Sequence, residues 1–380
     1  MRVITIVGAR PQFIKASAIS RGFKILFPQD VEELILHTGQ HYDINMSQIF
    51  FDELKLPRPN FNLEIGSLSH GQQTGKMLEK IERLLILKKP DAVIVYGDTN
   101  STLAGSLAAS KLNIPVIHVE AGLRSLKKTM PEEINRILTD HVSTMLFTPT
   151  ERGYRNLILE GFSPDNYPPY SADNPLIHHG GDVMYDNSLH FAYEAEKKSG
   201  IIEQAQLEHQ NFLLSTVHRA ENTDAPDKLT EIFKGLKSIA DSGMQVVLPL
   251  HPRTRKYFDS ITDKEFSGKI EKHPKMSIIE PVSFLDMIML EKNAEMIITD
   301  SGGVQKEAYF FGKPSIILRD ETEWTEIVEN NAAILTGANS VKIKNAFDHF
   351  RTSPPKKFPD IFGDGNAALK ICREIANEWA

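Results

Sequence analysis

The feature that most constrains this sequence is a recurrence of short apolar runs, each of strand length and rich in β-branched residues. Within a run the apolar residues are continuous rather than alternating, which is typical of strands covered on both faces in a parallel sheet. Longer stretches with helical spacing, such as residues 75–87 and 102–111, separate the runs, so the pattern predicts an α/β protein. The first five runs are residues 3–7, 34–37, 92–96, 115–119 and 145–147.

Two polar, proline-bearing breaks divide the chain, at residues 162–175 and 352–359. A second series of apolar runs lies between them, and a last helical segment, 366–379, follows the second break. We therefore predict an α/β fold with two Rossmann-like, doubly wound domains facing a cleft, and a ligand across the carboxyl ends of the strands. The expected domains span residues 1–168 and 169–361, followed by a terminal segment, 362–380.

Composition excludes several classes of protein. The chain has 43 basic and 50 acidic residues and a net charge of −7, which argues against a nucleic-acid scaffold or a membrane-surface binder. The single cysteine, Cys372, can form no internal disulfide and offers no thiolate-rich metal site. No apolar run approaches a membrane span, and the first residues do not resemble a signal peptide. We expect a cytoplasmic protein.

The first strand–helix junction carries a glycine and two basic residues. Gly8 permits a tight turn, and the helix that follows can offer backbone N–H groups to an anion, to which Arg10 and Lys15 add positive charge. The stretch lacks both G-x-G-x-x-G and the lysine-bearing phosphate loop, so it indicates neither a dinucleotide nor a nucleoside triphosphate. Phosphate binding and a plain turn with solvated basic residues both fit.

Three carboxylates follow neighbouring predicted strands of the first half. Asp98 comes after a buried strand, where it fits either a functional role or a helix N-cap. Glu120 ends an apolar strand and needs a partner such as Arg124 or Arg136, so a structural ion pair is the alternative there. Together with Glu132, these carboxylates are expected near one sheet edge and suit general acid/base catalysis beside an anionic leaving group.

The second half has two histidine–arginine strand ends and a glycine-rich junction. His218-Arg219 and His251 with Arg253 are typical of an anion-binding cleft wall, and they lack the spacing of a metal site. The sharpest motif places Ser301, Gly302 and Gly303 between a strand and a helix, where backbone N–H groups can hold a phosphate. Glu307, about one turn further on, could accept hydrogen bonds from a ribose diol. A small-residue turn with a solvated glutamate is the alternative.

Taken together, these segments resemble the non-hydrolysing UDP-N-acetylglucosamine 2-epimerase family over nearly the whole chain. Several long motifs in the right order are far more specific than any single glycine loop. They are G-x-R-P at 8–11, G-D-T at 97–99, H-V-E-A-G-L-R at 118–124, P-E-E-x-N-R at 131–136 and D-S-G-G-x-Q-x-E-A at 300–308.

The resemblance implies a GT-B type fold, with a C-terminal helix crossing back to the first domain, and a homodimer. It also implies inversion of C2 of a UDP-2-acetamido sugar without cofactor or metal. The C2 proton is removed and UDP leaves to give a 2-acetamidoglucal. A proton is then added to the other face of C2, and UDP returns to C1. UDP-GlcNAc is the first substrate expected, giving UDP-ManNAc.

By motif, Asp98, Glu120, Glu132 and His218 match the family's catalytic positions, with base and acid unassigned. The matching substrate-binding positions are Arg10, Lys15, Arg136, Ser301, Gly302, Gly303 and Glu307.

Some motif residues depart from the common pattern. Gln12 stands where many members have glutamate, and Trp324 where an arginine is usual. With Phe50 and Phe51 and residues 72–75, these features resemble the subgroup acting on UDP-2,3-diacetamido-2,3-dideoxyglucuronate. Arg219 or Arg253 could bind the carboxylate of that sugar, and they could equally contact phosphate. The activator site of some members, near Gln40 and His41, is only partly recognisable. A UDP-sugar-dependent glycosyltransferase of the same fold is the alternative from a different class.

Overall fold

The computed structural model describes residues 1–40, 58–66, 68–250, 252–259 and 264–379. Residue contacts divide the chain into two units, one comprising Met1–Asn187 with Asp360–Ala380 and the other Ser188–Pro359. The sequence placed the divisions after residues 168 and 361. The segment between 168 and 188 includes a short strand, Leu176–His179, that pairs in the sheet of the first unit.

The first unit is built on a seven-stranded sheet with strand order β3-β2-β1-β4-β5-β6-β7. All its pairings are parallel. The strands predicted from continuous apolar runs are present, whereas the short strands β3 and β7 were not predicted. The bounds are β1 Arg2–Val7, β2 Glu32–His37, β3 Phe61–Asn62, β4 Ala92–Tyr96, β5 Val116–Val119, β6 Met145–Thr148 and β7 Leu176–His179.

In the described part of the first unit, six helices connect or follow these strands. The stretches predicted at 75–87 and 102–111 lie within the second and third of them. The bounds are α1 Arg10–Leu26, α2 His70–Lys88, α3 Asn100–Lys111, α4 Pro131–His141, α5 Glu151–Leu159 and α6 Val183–Lys198. The division between the two units falls inside α6.

The second unit has a six-stranded sheet, again parallel throughout, with strand order β10-β9-β8-β11-β12-β13. Its strands are β8 Phe212–Thr216, β9 Gln245–Pro249, β10 Met276–Ile279, β11 Met296–Thr299, β12 Ser315–Ile317 and β13 Ala333–Leu335. Its helices are α7 Ile201–Gln204, α8 Ala220–Thr223, α9 Pro226–Asp241, α10 Pro252–Asp259, α11 Lys264–Glu271, α12 Phe284–Asn293, α13 Gly302–Phe310, α14 Thr325–Glu329 and α15 Ser340–Thr352.

Successive residues of each central strand pack into different cores. In β8, Leu213 belongs to one buried apolar cluster, and Phe212 and Leu214 belong to another. In β11, Ile297 and Ile298 divide in the same way. Since neighbouring side chains of a strand point to opposite faces, both faces of this sheet are covered by apolar side chains. This burial explains why the runs are continuous, and it confirms the predicted doubly wound α/β class.

The C-terminal helix α16, Ala367–Glu378, returns to the first unit and packs on α1. Gly22 of α1 makes the close approach possible, because a Cβ there would lie 2.7 Å from Sγ of Cys372. Asp186 accepts hydrogen bonds from the backbone N–H groups of Ala367 and Ala368 at 3.1 and 2.7 Å. The predicted return of this helix is confirmed. No described helix combines the length and apolar character that a membrane span requires.

Candidate active site

The first group of candidate residues lies where β1, β4 and β5 end, and these strands are neighbours in the first sheet. Lys15 lies in α1 after β1, Asp98 follows β4, and Glu120 directly follows β5. Because the carboxyl ends of parallel strands meet at one edge, three separate loops bring these side chains together. With Arg136 of α4, they form what we name the strand-end cluster.

Lys15 and Glu120 form an ion pair that is largely removed from solvent. Nζ of Lys15 lies 2.6 Å from Oε2 of Glu120, and the two side chains are 9% and 12% exposed. Gly97 borders the pair with φ of +61°, and a Cβ there would lie 3.3 Å from Nζ of Lys15. The geometry therefore holds a carboxylate beside a fixed positive charge and leaves little room for a side chain at residue 97.

The backbone of Glu120 is strained. Its φ of +75° lies in the left-handed region, which costs a non-glycine residue about 1–2 kcal/mol. The N–H groups of Glu120 and Ala121 both donate to the carbonyl of Phe147, at 3.1 and 3.0 Å, and so hold the turn in place. Strain of this kind concentrates at functional sites, which supports a functional role for Glu120 independently of its ion pair.

Arg136 connects two carboxylates. It pairs with Asp98, and its Nη1 lies 3.1 Å from Oε2 of Glu133. Burial alone would lower the pKa of Arg136, but the negative charges of Asp98 and Glu133 outweigh burial and raise this pKa above its ordinary value. The amide of Asn135 donates to the carbonyl of Asp98 at 2.9 Å, so α4 holds both the side chain and the backbone of Asp98.

The two adjacent glutamates of α4 have different environments. Glu132, named in the sequence prediction, is exposed in the first turn, and within the described part of the chain no hydrogen bond or ion pair joins it to the strand-end cluster. Glu133 is 1% exposed and accepts hydrogen bonds from the N–H and hydroxyl of Ser125 and the N–H of Leu126. Burial would raise the pKa of Glu133, but the hydrogen bonds from Ser125 outweigh burial and lower it.

A buried polar network contacts the loops that carry the strand-end cluster. Nδ1 of His118 lies 2.6 Å from Asp140, and Nε2 lies 2.8 Å from the carbonyl of Gly97. Asp140 also receives hydrogen bonds from Arg124, at 2.7 Å, and from the N–H of Gly122. Burial would raise the pKa of Asp140, but the charges of His118 and Arg124 outweigh it and lower this pKa. The network joins the loops after β4 and β5, which carry Asp98 and Glu120.

Gln12 ties the loop after β1 to the end of β4. Its side-chain oxygen accepts from the N–H groups of Gly8 and Ala9, and its amide donates to the carbonyl of Tyr96 and the hydroxyl of Thr102, all between 2.8 and 3.0 Å. These two backbone N–H groups therefore bind Gln12 in this structure. Arg10 is the first residue of α1 and is exposed.

The second group of candidate residues follows β8 and β11, which are neighbours in the second sheet. Asp300 is fully buried and accepts hydrogen bonds from the N–H groups of His218 and Arg219 and from the amide of Asn222, at 3.0 to 3.2 Å. Nδ1 of His218 lies 3.5 Å from Asp300, and the imidazole is 40% exposed. Asp300 thus fixes the backbone of the His218 loop and leaves the ring accessible.

Ser301, Gly302 and Gly303 begin helix α13 as predicted. Oγ of Ser301 accepts a hydrogen bond from the N–H of Val304 at 3.4 Å and is the N-cap. A Cβ on Gly302 would lie 2.2 Å from Oε1 of Glu323, so a larger residue at 302 would have to displace the end of that side chain.

The neighbours of Glu323 account for its presence beside α13. Arg319 contacts it at 2.8 Å and Arg219 at 4.0 Å. Burial would raise the pKa of Glu323, but the charge of Arg319 outweighs it, and this pKa is lowered. Trp324, at the position where the family usually has arginine, has Nζ of Lys306 4.3 Å from its ring centroid.

Part of the sequence prediction lies outside the described residues: His41, Phe50, Phe51, His251 and the side chain of Arg253. Among the residues that sequence reasoning did not select, Glu133 and Asp140 are the most connected. They lie seven residues apart on a helix, so they share the face that α4 buries. Acidic residues on the buried face of a helix were the signal that could have identified them.

Two doubly wound parallel sheets, with polar side chains gathered at the carboxyl ends of the strands, define a two-unit Rossmann-like α/β protein of the GT-B type. The family model described as UDP-N-acetylglucosamine 2-epimerase matches residues 27–376. The chain belongs to this epimerase family, which confirms the resemblance and the enzyme class inferred from the motifs.

Individual relatives cover almost the entire chain. A UDP-N-acetylglucosamine 2-epimerase homolog of Methanococcus maripaludis is 49% identical over 378 residues, covering 99% of this chain and 100% of the relative. The UDP-2,3-diacetamido-2,3-dideoxy-D-glucuronate 2-epimerase of Pseudomonas aeruginosa is 47% identical over 379 residues, covering 99% of both chains. The crystal structure of Methanocaldococcus jannaschii UDP-GlcNAc 2-epimerase in complex with UDP-GlcNAc and UDP aligns with a TM-score of 0.82 at 43% identity, covering 99% of this chain and 100% of that one.

Proposed function

We propose that this protein interconverts UDP-GlcNAc and UDP-ManNAc by eliminating UDP and adding it back with inverted configuration at C2. The observation that carries the proposal is the strand-end cluster, in which Glu120 pairs with Lys15 and Asp98 with Arg136. Two carboxylates held beside fixed cations suit a reaction that takes a proton from one face of a carbon and returns one to the other face. Membership of the epimerase family supports a UDP-sugar as substrate.

The reaction has two mirror-related halves. In the first, a carboxylate takes the C2 proton, the C2–H electron pair forms a double bond to C1, and the C1–O electron pair leaves with UDP. The product is a 2-acetamidoglucal. In the second half, a carboxylic acid protonates the opposite face of C2, and a phosphate oxygen of UDP bonds to C1. Atoms and charge balance without a redox step.

We assign the proton transfers to Asp98 and Glu120 of the strand-end cluster, with base and acid unassigned, and keep Glu132, which is exposed and lies outside that cluster, as a third candidate. Arg136 acts on the reaction through its ion pair with Asp98. The remaining positions would stabilise UDP as it leaves, because cations and backbone N–H groups oppose the charge that develops on the pyrophosphate. They are Arg10, Lys15, His218, Ser301, Gly302 and Gly303, with Glu307 accepting hydrogen bonds from the ribose.

A second substrate, UDP-2,3-diacetamido-2,3-dideoxyglucuronate, is favoured by the 47% identity to the Pseudomonas aeruginosa enzyme named for that sugar. Its additional carboxylate needs a cationic partner. Arg219 follows His218 directly, and its side chain is 42% exposed, so it is the candidate for that contact.

The test is incubation of the protein with each UDP-sugar alone, followed by proton NMR of the sugar signals. The proposal expects an epimer mixture to form from UDP-GlcNAc. Asp98→Asn and Glu120→Gln are each expected to lower the rate at least about 100-fold. Glu32→Gln, which removes a carboxylate from an exposed pair with Arg2, is expected to leave the rate unchanged.

Three results would contradict the proposal. They are no epimer from UDP-GlcNAc, steady release of free N-acetylmannosamine with UDP, or full activity in both active-site variants. An epimer formed only from the diacetamido uronate would transfer the proposal to that second substrate.

We also infer a cytoplasmic homodimer. One face of α4 and the loop before it expose apolar side chains that α4 does not bury, including Leu126, Ile134 and Leu138 at 87%, 46% and 43% exposure. Apolar patches of this kind mark association surfaces. Sedimentation of the wild type and of Ile134→Glu tests the inference: a dimer that the substitution dissociates is expected, and a monomeric wild type would refute it.

A further inference from the structure

The motif at residues 72–75 has no part in the proposed mechanism, yet one of its residues is connected to Asp98. Gln73 of α2 is 6% exposed, and both ends of its side-chain amide are hydrogen-bonded. The nitrogen donates to the carbonyl of Gly66 at 3.2 Å, and the oxygen accepts from the amide of Asn100 at 2.8 Å. A buried glutamine thus joins α2 to the first residue of α3.

Two further buried amides continue this connection to α4. Asn100 is 7% exposed and Asn135 of α4 is 5% exposed. The oxygen of Asn100 accepts from the amide of Asn135 at 3.3 Å, and the same amide donates to the carbonyl of Asp98 at 2.9 Å. Gln73, Asn100 and Asn135 therefore form a continuous hydrogen-bonded series, which we name the amide chain. It runs from the loop before α2 to the backbone of Asp98.

The two ends of the amide chain fix the direction of every hydrogen bond in it. Each end is a backbone carbonyl, of Gly66 and of Asp98, and a carbonyl can only accept. An amide nitrogen must face each end, so the oxygen of Gln73 faces the nitrogen of Asn100. The oxygen of Asn100 then faces the nitrogen of Asn135. Turning one amide over would set like atoms against each other in a buried place, which is unfavourable.

The direction of the Asp98 carboxylate depends on polar contacts. Its side chain is 30% exposed, so packing alone does not hold it. Arg136 pairs with the carboxylate, and Asn135 holds the peptide from which the side chain starts. A group that transfers a proton must lie within hydrogen-bond reach of the reacting atom, and a small displacement costs much of the rate. The amide chain is therefore placed to affect the rate of proton transfer.

We propose that Gln73 and Asn100 are positioning residues for Asp98: through the amide of Asn135 they hold the Asp98 peptide where its carboxylate reaches C2 of the UDP-sugar. This rests on the function proposed above, in which Asp98 transfers a proton. Loss of the chain should slow that transfer and leave binding of UDP unchanged, because none of the positions proposed to bind UDP belongs to the chain.

The experiment measures kcat and KM for UDP-GlcNAc in the full-length protein, with kcat expressed per UDP-binding site counted by calorimetry. Asn100→Leu has a similar volume and no polar side-chain atom, and it is expected to lower kcat at least about tenfold and to change KM less than about twofold. Gln73→Met should lower kcat severalfold. Gln73→Glu can still accept from Asn100 with one oxygen, and it should therefore restore most of the kcat that Gln73→Met loses.

Two further measurements separate positioning from general loss of structure. Gln245→Met is the matched control, because it removes a 2.6 Å hydrogen bond to Ser277 from a glutamine at the start of β9, and it should keep the wild-type kcat. The pH dependence of kcat reports on Asp98 itself. A displaced carboxylate changes its distance to Arg136 and shifts the profile, whereas a loss of folded protein lowers every value by one factor.

Two results would overturn the proposal. One is fewer UDP-binding sites in the variants with kcat per site and pH profile unchanged, which a merely structural role predicts. The other is an equal kcat in Gln73→Glu and Gln73→Met. Should Asn100→Leu not fold, Gln73→Met decides, since it lies at the far end of the chain. A wild type that forms no epimer would instead refute the proposed function, and the role of the amide chain with it.

Discussion

At the scale of single residues, Glu120 combines a left-handed backbone with a close charged partner. A strained φ of +75°, a buried lysine 2.6 Å away and two N–H groups converging on one carbonyl fix its position. An ordinary structural ion pair requires only the nearby lysine. The combination is expected where a carboxylate must keep one orientation while a proton moves to and from it.

Gln12 is a second residue whose identity the structure explains. Its oxygen faces two donors and its amide faces two acceptors, so a glutamine satisfies all four contacts. A glutamate would place its second oxygen against the carbonyl of Tyr96 and the hydroxyl oxygen of Thr102. The departure from the common family pattern at this position is thus accommodated by contacts within the loops.

Gln12→Glu is therefore expected to lower the free energy of unfolding by about 1–3 kcal/mol, because a buried acceptor would face the Tyr96 carbonyl. Chemical denaturation at pH 8 measures the effect. At pH 5 the loss should be smaller, since a protonated glutamic acid can donate one hydrogen bond. Gln204→Glu on exposed α7 is the control. A Gln12→Glu variant as stable as wild type at pH 8 would show that the hydrogen bonds of the Gln12 side chain do not contribute to stability.

At the scale of secondary-structure elements, α4 organises the first site. Its residues Glu133, Arg136 and Asp140 reach three different partners: the loop at Ser125, the side chain of Asp98 and the imidazole of His118. One helix therefore holds the loops after β4 and β5 in register. The helix contributes to the site mainly through positioning, since most of these groups are buried.

Asp140→Asn tests this role of α4. Removing the carboxylate leaves His118 and Arg124 without their buried partner, and the free energy of unfolding at pH 7 should fall by about 3–5 kcal/mol. The folded pKa of Asp140 lies below its ordinary value of 3.8. Its contribution is therefore present above pH 3.8 and is lost as the pH falls through the folded value, so the difference from wild type should shrink below about pH 4.

Asp241→Asn provides a matched control for that measurement. Asp241 also contacts a histidine and a basic side chain, His273 at 3.1 Å and Lys237 at 2.8 Å, but it is exposed. Its removal should change the free energy of unfolding by less than about 1 kcal/mol. Equal losses in the two variants would contradict a special role for the buried network.

The N-terminus of α16 carries a titratable cap. Burial raises the pKa of Asp186 to about 6, even though the N–H groups of Ala367 and Ala368 oppose the shift. Because the folded pKa is raised, the contribution of Asp186 to stability is complete below about pH 4 and is lost as the pH rises through about 6.

Asp186→Asn should remove this dependence. Asparagine also caps helices, so the variant is expected to fold. Between pH 4 and pH 7, the difference in free energy of unfolding between Asp186→Asn and the wild type should shift in favour of the variant by on the order of 2 kcal/mol. Asp227→Asn, an exposed substitution in the first turn of α9, should instead follow the wild-type profile. A parallel profile for Asp186→Asn would contradict the assignment.

At the scale of the whole molecule, the strand pattern was readable because burial on both sheet faces forces continuous apolar runs. The short strands β3, β7 and β13 could not be predicted, since two to four residues at a sheet edge carry little periodic signal. Lys15, Asp98 and Glu120 could be grouped from sequence because parallel strands end at one edge. Asn100, Glu133 and Asp140 could not, because their importance depends on which side chains face them across separate elements.

The two units carry different functional groups at their strand ends. The first holds carboxylates beside cations, and the second holds a glycine-bearing helix N-terminus and an accessible histidine. The net charge of −7 is compatible with cations at the strand ends, because it describes the whole chain and not a local site.

The central claim is that the protein breaks and remakes the C2–H bond of a UDP-sugar, and incorporation of solvent deuterium tests it most directly. UDP-GlcNAc incubated with the protein in deuterated water should gain one deuterium at C2 in both epimers, as read by mass spectrometry and by loss of the C2 proton signal. Asp98→Asn should abolish the incorporation while UDP still binds. Epimers that appear without deuterium at C2 would contradict the account.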